Sequence, residues 1–86
     1  MLKIRRTTDP VVVFTLSGRL KAENMCELSG VITAEPEGQP LVLDLADLVL
    51  VDRAAIRFLR DCEASRHIAL RNCPPYIRAW MAREAR

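Results

Sequence analysis

The chain has 86 residues, half of them apolar and 28% charged, with 13 basic against 11 acidic side chains and a net charge of +2. This length sets a single domain over residues 1–86, near the lower limit for folding without metal or disulfides. The charge is too balanced to point to a nucleic-acid partner, and no apolar run approaches the roughly 20 residues needed to span a membrane.

In chain order, "MLKIRR" places Leu2 and Ile4 on one side and Lys3 and Arg5 on the other, the alternation of a short edge strand. It also lacks the apolar stretch of a signal peptide, so the expected location is cytoplasmic. "TTDP" is a turn, and "VVVFTLSG" is a β-branched run closed by Gly18. So short a connection predicts a hairpin. "AENMCELSGVITAE" carries Met25, Leu28, Val31 and Ile32 at helical spacing, with Gly30 weakening the helix. "PEGQP" breaks the chain before "LVLDLA", the clearest strand.

A loop over Asp47 to Val51 is expected to lead into a second helix. Its apolar stripe is Ala55, Phe58, Leu59 and Cys62, with Arg57, Arg60, Asp61 and Glu63 outward. "HIALRN" reads as a fourth strand. "PPYIRAWMAREAR" reads as a last helix with Ile77, Trp80 and Met81 on one face, Trp80 being either core or an interface anchor. The order is ββαβαβα. Two strand-helix-strand units with right-handed crossovers predict an α/β fold, a small mixed four-stranded sheet with its helices mainly on one face. Alternation within "LVLDLA" and "HIALRN" leaves the other face uncovered, as a surface for a homodimer or partner or simply as a solvated face.

The segments "VVVFTLSGRL", "LVLDLADLVLVDRAAIRFL" and "IALRNCPPYIRAWM", in that order, resemble a STAS domain. This is the module named for sulphate transporters and bacterial anti-sigma factor antagonists, and "LDLADLVLVD" is the most specific part of the likeness. The resemblance implies a protein-binding module with no enzymatic activity and no cofactor. In the family the partner is often an anti-sigma factor that is also a serine kinase. It phosphorylates a Ser or Thr at the start of the second helix, in a segment close to Asp-Ser-Ser-Gly. Here the segment reads Asp52-Arg53-Ala54-Ala55. Alanine has no hydroxyl, so the phosphorylation switch is missing at Ala54.

Asp52 is expected to cap the second helix through the orphan amides of its first turn. Arg53 is either a cation offered to an acidic partner or an ordinary solvated arginine, and Ala55 stiffens the turn where glycine is usual. The expected docking surface centres on Asp47, Asp52, Arg53, Ala54, Ala55 and Arg57 and takes in the loop Asp47 to Val51. The partner would be an anti-sigma factor or kinase. In the alternative reading the chain is an accessory subunit beside the ATPase of a lipid-transport complex.

Other chemistries are weaker. Cys62, His67 and Cys73 have residue types that zinc accepts, but Cys62 lies on the buried stripe and there is no C-x2-C pair. The same residues lack an orienting group for cysteine-histidine catalysis. No metal site is expected, and the odd cysteine count with Cys26 argues against a disulfide framework.

Overall fold

The structure, a computed structural model, describes residues 2–8, 10–66 and 68–84. Strands β1 (Leu2–Thr8) and β2 (Val12–Leu20) form an antiparallel hairpin. A 3-10 turn (Ala22–Asn24) leads into helix α1 (Met25–Thr33). Strand β3 (Leu41–Val51), helix α2 (Arg53–Ser65), strand β4 (Ala69–Arg71) and helix α3 (Pro75–Glu84) follow. The sheet order is β1-β2-β3-β4, with β2, β3 and β4 mutually parallel and β1 reversed. The mixed four-stranded sheet and the ββαβαβα order are those read from the sequence. His67, placed there in the fourth strand, lies outside the described residues, as do Met1, Asp9, Ala85 and Arg86.

One cluster of side chains holds the fold together. Strands contribute Val12, Phe14, Leu16, Leu43, Leu45, Leu48 and Val51. The helices add Leu28 and Ile32 from α1, Ala55, Ile56, Leu59 and Cys62 from α2, and Ile77 and Met81 from α3. Trp80 and Phe58 pack against this cluster while only partly buried. Helices α2 and α3 run antiparallel, since Arg78 near the start of α3 pairs with Glu63 late in α2, and Glu84 at the end of α3 meets Arg53 and Arg57 in the first turns of α2. Among the described residues no helix is long and apolar enough to cross a membrane.

The opposite face is largely polar. By register, Lys3, Ser17 and Asp47 form one row across the sheet, and Arg5, Thr15, Asp44 and Arg71 form the next. Asp44 ends the β3–β4 ladder: its carboxylate accepts from the Ala46 amide at 3.0 Å, from Asn72 at 3.2 Å and from Arg71 at 3.3 Å. Asn72, with φ 55, turns the chain away from the sheet in a conformation Asn tolerates better than most residues.

Strand β3 runs through the segment expected as a loop from Asp47 to Val51. Its pairing with β2 skips residues twice: Thr15 and Ser17 face Asp44 and Asp47, and Gly18 and Arg19 face Leu48 and Leu50. Each skip puts an extra residue in β3, a β-bulge. Bulges reset the alternation, so the buried positions run Leu43, Leu45, Leu48, Val51 at spacings that no flat strand allows. Gly18 sits beside the second bulge with φ 93, a backbone angle that favours glycine, and β2 continues past it to Leu20.

Gly30 is exposed in the interior of α1, and a Cβ built there meets nothing within 4 Å. Gly30→Ala is expected to raise unfolding stability by about 0.5–1 kcal/mol through chain entropy. Leu43→Ala, at a fully buried position, is expected to lower it by about 2–5 kcal/mol. Urea denaturation of both variants checks the direction and the size.

Candidate functional site

The candidate site lies where β2 and β3 end and α2 begins. Asp52 has an extended backbone, with φ −111 and ψ −178, and so stands just outside the helix it caps. One carboxylate oxygen accepts from the Ala55 amide at 2.9 Å, satisfying an orphan donor of the first turn. The other accepts from the Ala22 amide at 2.8 Å, at the start of the 3-10 turn after β2. Its own amide donates to the Leu20 carbonyl at 3.3 Å. Asp52 therefore binds the exit of β2 to the exit of β3. Partial burial pushes its carboxyl up, but the Ala55 and Ala22 amides, with Lys21 nearby, outweigh this and hold it below the usual carboxylate range.

Just before the cap, the bulged end of β3 exposes two large aliphatic side chains. Val49 is 74% exposed and Leu50 44%. Their neighbours Leu48 and Val51 are buried and anchor the segment on both sides. The cation Arg19 pairs in register with Leu50 and is also exposed.

The arginines of α2 are already engaged within the chain. Arg53 Nε and Arg57 Nε both donate to the Glu84 carboxylate at 3.2 Å. Arg60 Nη1 donates to the Glu84 main-chain carbonyl at 2.8 Å. Desolvation pushes the Glu84 carboxyl up, while Arg57 and Arg53 more than offset it and hold the group low. The guanidinium ends remain accessible: the Arg53 and Arg57 side chains are 67% and 61% exposed, against 13% for Glu84.

Of the six residues expected to form a docking surface, Asp52, Arg53, Ala54 and Arg57 come together at this end. Ala55 is completely buried in the core and presents no side-chain surface. By register Asp47 faces the open side of the sheet, opposite Ser17, away from the Arg53–Arg57–Glu84 cluster. The segment Asp47 to Val51, expected as part of the docking surface, holds the exposed Val49 and Leu50, while sequence reasoning missed Glu84, whose partners lie 27 and 31 residues away.

The cysteines are dispersed in character. Cys26 is exposed, Cys73 partly buried and Cys62 buried, and all three are free thiols. Burial pushes the Cys62 thiol up to about 11, leaving it protonated at neutral pH. Among the described residues no three His, Cys, Asp or Glu side chains gather as a metal site, and His67 is outside those residues. An open depression of about 550 Å³ lies at the other end of the fold, between Ile32, Leu41, Arg66 and Ile68. It shares no residue with the Asp52 region.

The chain path and the crossover geometry match a known architecture. A crystal structure of an uncharacterized protein from the DUF3478 family of Shewanella loihica PV-4, with a SpoIIAA-like fold, aligns with 99% of this chain and 75% of its own. The TM-score is 0.54 at 16% sequence identity. The fold is SpoIIAA-like. That is the fold of the STAS domains which the sequence resembles. No family model and no curated protein matches the sequence. In this chain the start of α2 carries the hydroxyl-free turn Arg53-Ala54-Ala55, with the exposed aliphatic pair before it.

Asp52→Ala removes both amide contacts and is expected to cost about 2 kcal/mol of stability. Because the folded-state pKa is depressed, the carboxylate's contribution is fully present above the unfolded value of about 3.9 and is lost as pH falls below it toward the folded pKa. Asp44, Glu35 and Glu84 are depressed in the same sense. Acid titration of unfolding free energy should therefore fall less steeply below pH about 4 in Asp52→Asn than in wild type, once the two curves are aligned at neutral pH.

Proposed function

We propose that this protein is a non-catalytic protein-protein interaction module that docks through the end of β3 and the start of α2. The observation carrying this reading is the exposed Val49–Leu50 pair, set on a bulge and flanked by buried anchors. Leaving two large aliphatic side chains in water forgoes burial that would stabilise the fold, on the order of 1.5 kcal/mol or more for each full side chain. A partner surface that covers them recovers that free energy on binding, as clustered apolar residues do at the centre of interfaces.

The SpoIIAA-like fold supports an antagonist-like role, with an anti-sigma factor or a related kinase as partner. Ala54 accepts no phosphoryl group, so docking in this reading is constitutive or is controlled through the partner. The rigid Asp52 cap fits such a role, since a preformed turn loses little entropy on binding. An accessory place beside a transporter ATPase uses the same surface and differs only in partner.

The test compares capture by wild type and by Val49→Ser/Leu50→Ser from lysate of the source cell. Both positions are exposed, so the double variant is expected to stay folded, which circular dichroism checks. A protein retained by wild type and reduced at least about tenfold by the variant supports the reading. A sigma-pathway regulator or a transport ATPase among the captured proteins then selects between the two partner classes. Equal capture by both baits would place binding elsewhere on the molecule.

A further inference from the structure

The arginine pair on α2 also bears on what kind of partner fits. We propose that Arg53 and Arg57 form an anion-reading subsite for an acidic peptide segment of the partner, and that Glu84 is the chain's own occupant of it. This rests on the docking reading above and adds the partner's chemistry and an internal competitor.

The Glu84 carboxylate accepts from Arg53 Nε at 3.3 and 3.2 Å and from Arg57 Nε at 3.2 Å, so two guanidinium groups converge on one carboxylate. Among the described residues no acceptor is bonded to the terminal Nη groups of either arginine. Those groups belong to side chains that are 67% and 61% exposed. A guanidinium offers five donors in a planar fork, and the contact with Glu84 engages only one on each. The charge count leaves the cluster cationic: two arginines against one carboxylate, with Arg60 adding a third cation at the Glu84 carbonyl.

The surroundings reinforce that sign. Arg19 is exposed beside Leu50. Asp52, adjacent to Arg53 in the chain, has both oxygens committed to the Ala22 and Ala55 amides. Arg19, in register with Leu50, and Arg53 and Arg57, which follow shortly in the chain, set cations near the exposed aliphatic pair, and its complement is an apolar side chain with Asp or Glu beside it. A second copy of this chain is a poor occupant, because a two-fold contact through the patch sets arginines against arginines.

Glu84 competes with an incoming carboxylate for the same two cations. An exposed ion pair contributes little to stability, so the fold tolerates its exchange for an intermolecular pair. Glu84→Gln keeps the side chain's size, replaces the carboxylate by a neutral amide with one acceptor oxygen, and raises the cluster's charge by one. Such a variant binds the acidic segment more tightly, and with a steeper dependence on salt.

Random peptides displayed on phage, selected in parallel on wild type, Glu84→Gln, Arg53→Gln/Arg57→Gln and Val49→Ser/Leu50→Ser, test the proposal. Wild type should enrich sequences in which Asp or Glu neighbours an aliphatic residue. The best of these, synthesised and followed by fluorescence anisotropy, should bind Glu84→Gln about threefold tighter or more. It should bind Arg53→Gln/Arg57→Gln about tenfold weaker. Enrichment without acidic bias, or an affinity that Glu84→Gln leaves unchanged or lowers, overturns the anion subsite while leaving docking intact. Loss of all enrichment on wild type, or peptides indifferent to Val49→Ser/Leu50→Ser, overturns the docking reading and the subsite with it. Thermal unfolding of each variant confirms that the comparisons are made on folded protein.

Discussion

The carboxylate of Asp52 is the contact on which the arrangement of this end of the molecule depends. It accepts from two amides that lie 33 residues apart in the chain, those of Ala22 and Ala55. One belongs to the connection leaving β2 and the other to the helix leaving β3. A single group therefore satisfies a donor on each crossover and sets where both begin. Serine there reaches one donor, and asparagine brings an amide against an amide. The same cap fixes the direction of α2, and with it the place from which Arg53 and Arg57 extend toward α3.

The second constraint is the geometry of β3. Eleven residues are fitted against nine of β2 with two skips in register. A flat strand would send Leu48 and Val51 to opposite faces; the bulges bring both to the core. The residues displaced by that correction are Val49 and Leu50, which is why an apolar run ends half in the core and half in solvent. Burial of the core and exposure of Val49 and Leu50 are thus two results of one backbone feature. Gly18, with its positive φ, lets the neighbouring strand follow.

The order of elements and most of the core were legible because they depend on local period. Leu28 and Ile32, Leu59 and Cys62, and Ile77 and Met81 fall on helical stripes, and Leu43 and Leu45 on a strand's alternate positions. The length of β3 was not legible, because bulges break the period by which a strand is recognised. The cap at Asp52 could be read from its place before a helical stripe. Its bond to Ala22 could not, since it depends on how the strands pair. Arg53 and Arg57 read correctly as outward, but pairing with Glu84 depends on the antiparallel packing of α2 and α3, for which the sequence carries no spacing rule. Analogy with a family motif puts Ala55 at the surface, while its place on the apolar stripe of α2 already indicates the core.

These features describe a small SpoIIAA-like scaffold whose turn at the start of α2 carries no hydroxyl and keeps its cap. What stands there is an exposed aliphatic pair followed by two arginines paired with Glu84. That account stands on Asp52 tying the two crossovers into one unit. Amide hydrogen exchange at Ala22 and Ala55, followed by NMR in wild type and Asp52→Ala, tests this most directly. The account predicts that both amides are protected in wild type and that both lose protection in the variant while amides of the core strands keep theirs. Free exchange at Ala22 in the wild-type protein, with Ala55 still protected, would contradict it.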